Sequence, residues 1–295
     1  MKMCVESNRK TAKLISFDET ADQKNWKLVR WIVGLSYALV PKTKGVKITK
    51  LNEENIKGYL CTPENVQSKD VLICIHGGGM LFGSARGSLG FSSDMAGKSG
   101  MKTYVLDYAL APEHKYPEGI NDVYKAYLQI MADNPDSKIF VTGESAGAYL
   151  SIVLTCLCIK NGIRKPAAIF PHSPVIDFSG TLDRSYPEMD DTVLKEGSLK
   201  AIHKLYCPDY NTKDYRLSPM FFDRYDQFPP VIITVSGNEY LRKDSEKLYE
   251  LLEENGIKTT MYLYHNTYHG FAITGTMAEE SNEILEDIVA FMKQI

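Results

Sequence analysis

Ile139-Phe140-Val141-Thr142-Gly143-Glu144-Ser145-Ala146-Gly147-Ala148-Tyr149-Leu150 is the stretch on which the reading of this chain turns. Residues 139–142 predict a short buried strand, and the run from Ala146 to Lys160 predicts a helix, so Ser145 stands on the turn that joins them. A serine so placed sits on a strained bend with its hydroxyl clear of the sheet. The backbone doubles back so tightly there that the residues two before and two after it must be small, and Gly143 and Gly147 meet that demand. The helix that follows points its N-terminus, with its partial positive charge, at any negative charge that develops beside the serine. Taken alone, the pentapeptide fits an ordinary strand–helix turn with a serine cap equally well. Its strand–turn–helix setting is what favours a nucleophile.

Working outward, strands and helices alternate. Val71–Ile75 predicts a strand, followed by a glycine-rich loop and a helix near Ser92–Ser99. Thr103–Leu106 and Ile120–Ala132 predict the next strand and helix. Downstream come strands over Ala167–Phe170, Val231–Val235 and Thr259–Tyr264, with helices over Lys243–Asn255 and Met277–Lys293. This rhythm predicts an α/β protein with a mostly parallel central sheet flanked by helices. Val46–Lys50 and Ile56–Cys61, separated by Asn52-Glu53-Glu54-Asn55, predict a β-hairpin. Residues 1 to about 40 read as helical, with Trp26, Val29, Trp31, Ile32, Leu35 and Leu39 at near-helical spacing and Pro41 ending the pattern. Residues 178–225, rich in charge, aromatics and proline, break the alternation. The expectation is one domain over 1–295, with about 1–42 and 178–225 forming a helical cap over the sheet's C-terminal edge.

His76-Gly77-Gly78-Gly79 follows the strand at 71–75. Adjacent glycines let backbone amides approach a ligand and point inward. Acyl transfer builds negative charge on a carbonyl oxygen, and each fixed N–H donor aimed at it is worth about 3–4 kcal/mol. The amides of Gly77, Gly78 and Ala146 are assigned to that oxyanion hole. A phosphate loop would be the competing use of the glycines, but neither G-x-x-x-x-G-K-[ST] nor a helix-opening G-x-G-x-x-G is present here. His76 itself precedes the serine, which contradicts the chain order nucleophile, acid, histidine, so it is read as support for the loop.

The base is expected after the last strand. His265 and His269 both lie there, and His269, later in the loop and followed by Gly270-Phe271, has the greater reach. The acid is expected after Val231–Val235, where Glu239 lies in the loop and Asp244 at the start of the next helix; Glu239 is favoured, with Asp244 the alternative. The acid's task is to orient the imidazole and stabilise its positive form.

The chain has 295 residues, 44% hydrophobic and 24% charged, with a net charge of −3. These values exclude a disordered or fibrous protein and argue against nucleic-acid binding through a global positive field. The amino-terminal residues lack the apolar core of a secretion signal, and the most apolar stretch, 149–159, is shorter than the roughly 20 residues that span a bilayer, so a cytoplasmic location and no membrane partner are expected. The six cysteines have neither zinc nor CxxC spacing and read as reduced, mostly buried thiols.

Taken together, these motifs resemble the hormone-sensitive-lipase-like carboxylesterases of the α/β-hydrolase superfamily, from about Val71 to Phe271. His76-Gly77-Gly78-Gly79 is similar to that family's HGGG loop. Tyr108-Ala109-Leu110-Ala111-Pro112-Glu113-His114 is similar to its Y-x-L-A-P-E-H stretch, Gly143–Gly147 to its G-D-S-A-G elbow, Ser173-Pro174-Val175-Ile176-Asp177 to the segment entering its cap, and His269-Gly270-Phe271 to its histidine motif. The chain departs from the pattern at Glu144, where aspartate is usual, and at Glu239-Tyr240-Leu241-Arg242, where D-P-L-R is usual. The resemblance implies an α/β-hydrolase fold with a cap built from the N-terminus plus an insert. It also implies a Ser145–His269–Glu239 triad, hydrolysis of short- to medium-chain acyl esters, and no metal or organic cofactor. A small-molecule ester is the expected partner, and a homodimer is left open. An amidase, formamidase or deacetylase acting on a small metabolite would share every acyl-enzyme step. A non-catalytic binding protein on the same fold would be expected to have lost one of these residues.

Overall fold

The structure is a computed structural model that describes residues 21–38, 41–275 and 278–295. Its centre is one eight-stranded sheet in the order β1-β2-β4-β3-β5-β6-β7-β8. The strands are β1 (Val46–Asn52), β2 (Lys57–Pro63), β3 (Val71–Ile75), β4 (Lys102–Leu106), β5 (Ile139–Glu144), β6 (Ala168–His172), β7 (Val231–Ser236) and β8 (Thr259–Tyr264). β1 and β2 form the expected antiparallel hairpin, and β2 pairs antiparallel with β4. From β4 to β8 every pairing is parallel.

The period-2 side-chain alternation of the strands divides the core between two faces. Val71, Ile73 and Ile75 of β3 face one cluster, which includes Val123 and Ile130 of α3 (Glu118–Asp133), Val153 of α4 (Ala146–Lys160) and Leu248 of α6 (Arg242–Glu254). Leu72 and Cys74 face the other, with Met95 of α2 (Leu89–Ser99) and Ile284, Leu285 and Ile288 of α7 (Glu279–Gln294). β5 and β7 divide the same way, with Val141 and Ile233 on the first face and Phe140 and Ile232 on the second. α4 is buried on almost every side, as a helix apolar all round must be. Its buried serine and threonine hydroxyls are satisfied locally, Ser151 Oγ on the Ala148 carbonyl and Thr155 Oγ1 on that of Ser151.

The N-terminal helix α1 spans Trp26–Ala38. Trp26, Val29 and Val33 form its buried stripe, whereas Trp31, expected to share the apolar face, is 63% exposed. The i, i+3, i+7 set defines the stripe, and Trp31 lies too far round the helix from it. Leu39 and residues 1–20 of the expected helical stretch, Cys4 included, lie outside the described residues. α1 is fastened by Arg30, whose Nε and Nη2 donate to the carbonyls of Leu81 (2.7 Å) and Ala111 (2.6 Å) while the guanidinium forks onto Glu113. The insert between β6 and β7 contributes α5 (Ser198–Tyr206) and joins Leu194, Ile202, Tyr206, Leu217 and Phe222 to the core of α3, α4 and α6. Cys61, Cys74, Cys156, Cys158 and Cys207 are buried free thiols. Among the described residues no helix is long and apolar enough to cross a membrane.

In this sheet the chain leaves β3 for β4 on one side and then returns to β5 on the other. Such a reversal opens a crevice at the C-terminal ends of the two central strands, where open α/β sheets bind ligands. The Gly77 loop follows β3 and Ser145 follows β5, so both line that crevice. The approach there is close: a Cβ on Gly147 would stand 2.1 Å from the Ile75 carbonyl oxygen, and one on Gly143 would stand 2.4 Å from the Gly147 carbonyl. The obstruction is backbone in both cases and cannot turn aside. Gly147→Ala is therefore expected to cost about 3 kcal/mol or more, read as a lowered urea midpoint with unchanged slope; a midpoint within error of the parent would refute this account of the turn.

Candidate active site

Ser145 sits between β5 and α4 with φ 53° and ψ −114°, a backbone conformation unusual for any residue with a side chain. Two hydrogen bonds over-determine it. Its N–H donates to the His172 carbonyl at the end of β6 (2.8 Å), and its own carbonyl accepts the Tyr149 N–H inside the helix. Strain of this kind persists only where the surroundings hold it, and it concentrates at functional positions.

His269 lies in the loop after β8. Nδ1–H donates to Glu239 Oε1 (3.2 Å), which sets the tautomer, and Nε2 faces Glu144 Oε1 at 3.4 Å. Imidazole and carboxylates are all buried. Burial alone would push the imidazole's pKa down. The carboxylate of Glu239, with its hydrogen bond, and then those of Glu144 and Asp191 outweigh it and hold the group up at about 9. Burial likewise raises Glu144, opposed by the imidazolium charge.

Glu239 is held from its other oxygen. Oε2 accepts from Ser173 Oγ (2.8 Å) and from the Ser236 N–H (3.1 Å). Ser173 takes a left-handed φ of 50°, and its N–H donates to the Thr234 carbonyl, so its hydroxyl is aimed from the end of β6 at the acid. Asp244, the alternative acid, is elsewhere. Its carboxylate takes a two-point contact from Arg184 (Nε to Oδ2, 2.6 Å; Nη2 to Oδ1, 2.8 Å) and the Ile176 N–H (2.9 Å). Both side chains of that ion pair are buried, and it pins the insert to α6.

The remaining histidines separate by environment. His76 is buried, stacked on Tyr108 with ring centroids 4.2 Å apart, and its Nδ1–H donates to the Gly77 carbonyl, which braces the glycine loop from within. Tyr108 closes the brace by donating to the His76 carbonyl. His172 is sealed between Thr142 and Thr234, and burial pushes it down to about 3, so it stays neutral. His265 is exposed. The N–H groups of Gly77, Gly78 and Ala146 are paired with no acceptor among the described residues. The Ser145 hydroxyl likewise makes no hydrogen bond there; the imidazole edge that could reach it is turned to Glu144. Sequence reasoning therefore located Ser145, His269 and Glu239 at one end of the sheet, but missed Ser173, Asp191 and the Glu144 contact. The one signal available was that Glu144 replaces a shorter acid in the pentapeptide.

Residues 72–273 match the family model described as alpha/beta hydrolase fold. An esterase of Acinetobacter venetianus is 28% identical over 256 residues, covering 86% of this chain and 84% of the relative. An acetyl-hydrolase of Streptomyces hygroscopicus is 24% identical over 239 residues, covering 79% and 80%. Among solved structures, an esterase from the bacterial hormone-sensitive lipase family superposes with a TM-score of 0.85 at 22% identity, covering 97% of this chain and 96% of that one. An ester-hydrolase from the metagenome of Lake Arreo superposes with a TM-score of 0.81 at 25% identity, covering 92% and 91%. Family and fold agree with the resemblance read from the motifs.

The two acidic candidates make opposite demands. Asp244→Asn leaves a buried guanidinium unpaired and is expected to cost about 3–5 kcal/mol of stability while leaving the titration of His269 in place. Glu239→Gln removes a charge from the imidazole and is expected to lower its pKa, followed by NMR of the ring protons; a shift in the Asp244 variant instead would exchange the two roles.

Proposed function

Because the chain belongs to the α/β-hydrolase fold family, we propose that it is a serine carboxylesterase that cleaves short- to medium-chain acyl esters through Ser145, His269 and Glu239. The observation that carries this reading is the convergence of a strained serine, a carboxylate-oriented imidazole and three unpaired amides on the C-terminal edge of adjacent strands. The esterases and acetyl-hydrolase among its relatives support the reaction class.

In the first half-reaction Ser145 Oγ attacks the ester carbonyl carbon as its proton passes to His269 Nε2, and the carbonyl π pair moves onto oxygen. The Gly77, Gly78 and Ala146 amides receive that oxyanion, aided by the N-terminus of α4. Glu239 stabilises the imidazolium without taking its proton. As the carbonyl re-forms, the carbon–alkoxy bond breaks and Nε2–H protonates the departing alcohol. Water then repeats the sequence, its proton going to Nε2 and returning to Ser145 as the acid leaves. For Ser145 Oγ to give up its proton, the imidazole must swing its Nε2 edge from Glu144 toward Oγ; hydrogen bonds of this kind commonly tighten only when substrate is bound. The cap is assigned to the N-terminal stretch and the 178–225 insert, with Arg30 and Arg184 as its fastenings to the sheet domain.

The test is a p-nitrophenyl ester series of increasing acyl length. Turnover is expected from acetate to the medium chains, and Ser145→Ala is expected to lower kcat by about 10³-fold or more. Undiminished turnover in that variant would remove Ser145 from the mechanism. A base must be unprotonated to act, so kcat/KM is expected to rise with pH and level off only above about 9, where the imidazole loses its proton; a limb already complete at pH 6 would contradict the two-carboxylate environment.

A further inference from the structure

Glu239 is sufficient to orient His269, yet the imidazole has a second carboxylate at its other nitrogen. Glu144 Oε1 lies 3.4 Å from Nε2, the atom that must serve Ser145. The Glu144 side chain is wedged between the two loops that build the site. A Cβ on Gly77 would fall 1.8 Å from Oε2, and one on Gly270, beside His269, would fall 3.1 Å from Oε1. A side chain one methylene shorter would withdraw the carboxylate by about 1.5 Å and lose the contact. Glu144 is at the same time the residue bonded to the nucleophile, so any charge on it acts at the reacting centre.

We propose that Glu144 is a positioning residue that docks the Nε2 edge of His269 against the end of β5 in the resting enzyme, and thereby sets the pH at which the base becomes available to Ser145. This deepens the esterase reading and rests on it only in taking His269 as the proton carrier. The groups facing the imidazole are Glu239 from the loop after β7, Glu144 from β5 and Asp191 from the insert; all are acids. Tyr108, from the loop after β4, faces Glu144 and stays a neutral phenol because burial and that carboxylate both raise it. A proton on Nε2 at rest thus places its charge 3.4 Å from a carboxylate oxygen in a largely buried site, where such an interaction is stronger than at a surface.

Two effects of opposite sign follow. The Nε2 proton must leave before the imidazole can act as a base, so Glu144 suppresses turnover at neutral pH. The same charge favours the imidazolium that forms as Ser145 attacks, so Glu144 raises turnover once the resting proton is gone. Glu144→Gln keeps the shape and removes the charge. Its acid limb of kcat/KM is expected to move down by at least one pH unit, giving about tenfold higher kcat/KM on the limb, with a plateau several-fold lower, so that the two profiles cross. Glu144→Asp retains the charge at a greater distance and is expected to fall between. The titration of the His269 ring, followed by NMR on histidine-labelled protein and assigned by the signal lost in His269→Gln, is expected to move in step. A profile that is scaled down with its limb unmoved, or a ring titration that coincides with the parent in both variants, would overturn the proposal and leave Glu144 a packing residue. Should the parent chain hydrolyse no ester at any pH, the esterase reading fails by itself, and the ring titration alone decides the part of Glu144.

Discussion

The Ile75 carbonyl and the first turn of α4 stand so close that only glycine fits between them. That contact ties the end of β3 to the beginning of the helix after β5, and it brings the glycine loop and the serine turn to the same crevice. The unpaired amides of Gly77 and Gly78 belong to β3's loop, and that of Ala146 to α4, so the spacing between donors contributed by two segments is fixed by a single backbone approach. The His76–Tyr108 stack then stiffens the first of those segments, and the hydrogen bond from Ser145 to the His172 carbonyl stiffens the second.

The charges are arranged on a different plan. Three acids from three separate elements face one imidazole, whereas the buried guanidinium of the insert, Arg184, is paired with Asp244 instead. A buried pair of that kind contributes little net stability against an apolar equivalent, but losing one partner is costly, so it enforces geometry more than it adds free energy. Here the geometry it enforces is the seat of the insert on α6, and hence the position of Asp191 beside His269.

Most of the scaffold was legible in the sequence. The serine turn, β3, β5, β7 and α4 follow from local pattern, because buried strands and an all-apolar helix announce themselves in a few consecutive residues. Trp31 was misread because an isolated tryptophan is apolar wherever it falls on the helix, and only the phase set by Trp26, Val29 and Val33 tells which side is buried. Glu239 and Asp244 could not be separated by spacing alone. What separates them is Arg184, which lies far away in the chain in a segment with no regular pattern. The contact between Glu144 and His269 was hidden for the same reason: the end of β5 and a loop distant in sequence meet there, and the pentapeptide shows only that the acid is longer by one carbon.

The burial of α4 bears on how Ser145 is held over time. Beyond the first turn the amides of α4 are hydrogen-bonded among buried side chains, and the Ser145 N–H is held by the His172 carbonyl, so exposing them to solvent requires the packing around α4 to come apart rather than one surface element to fray. Backbone groups of that kind exchange their hydrogens only through the largest openings of a protein. His269 is carried by a loop with no such burial around its neighbours Asn266, Thr267 and Tyr268. Ser145 and His269 thus belong to differently buried parts of the molecule, the serine to the packed unit expected to open last and the histidine to a segment that can adjust while that unit stays closed.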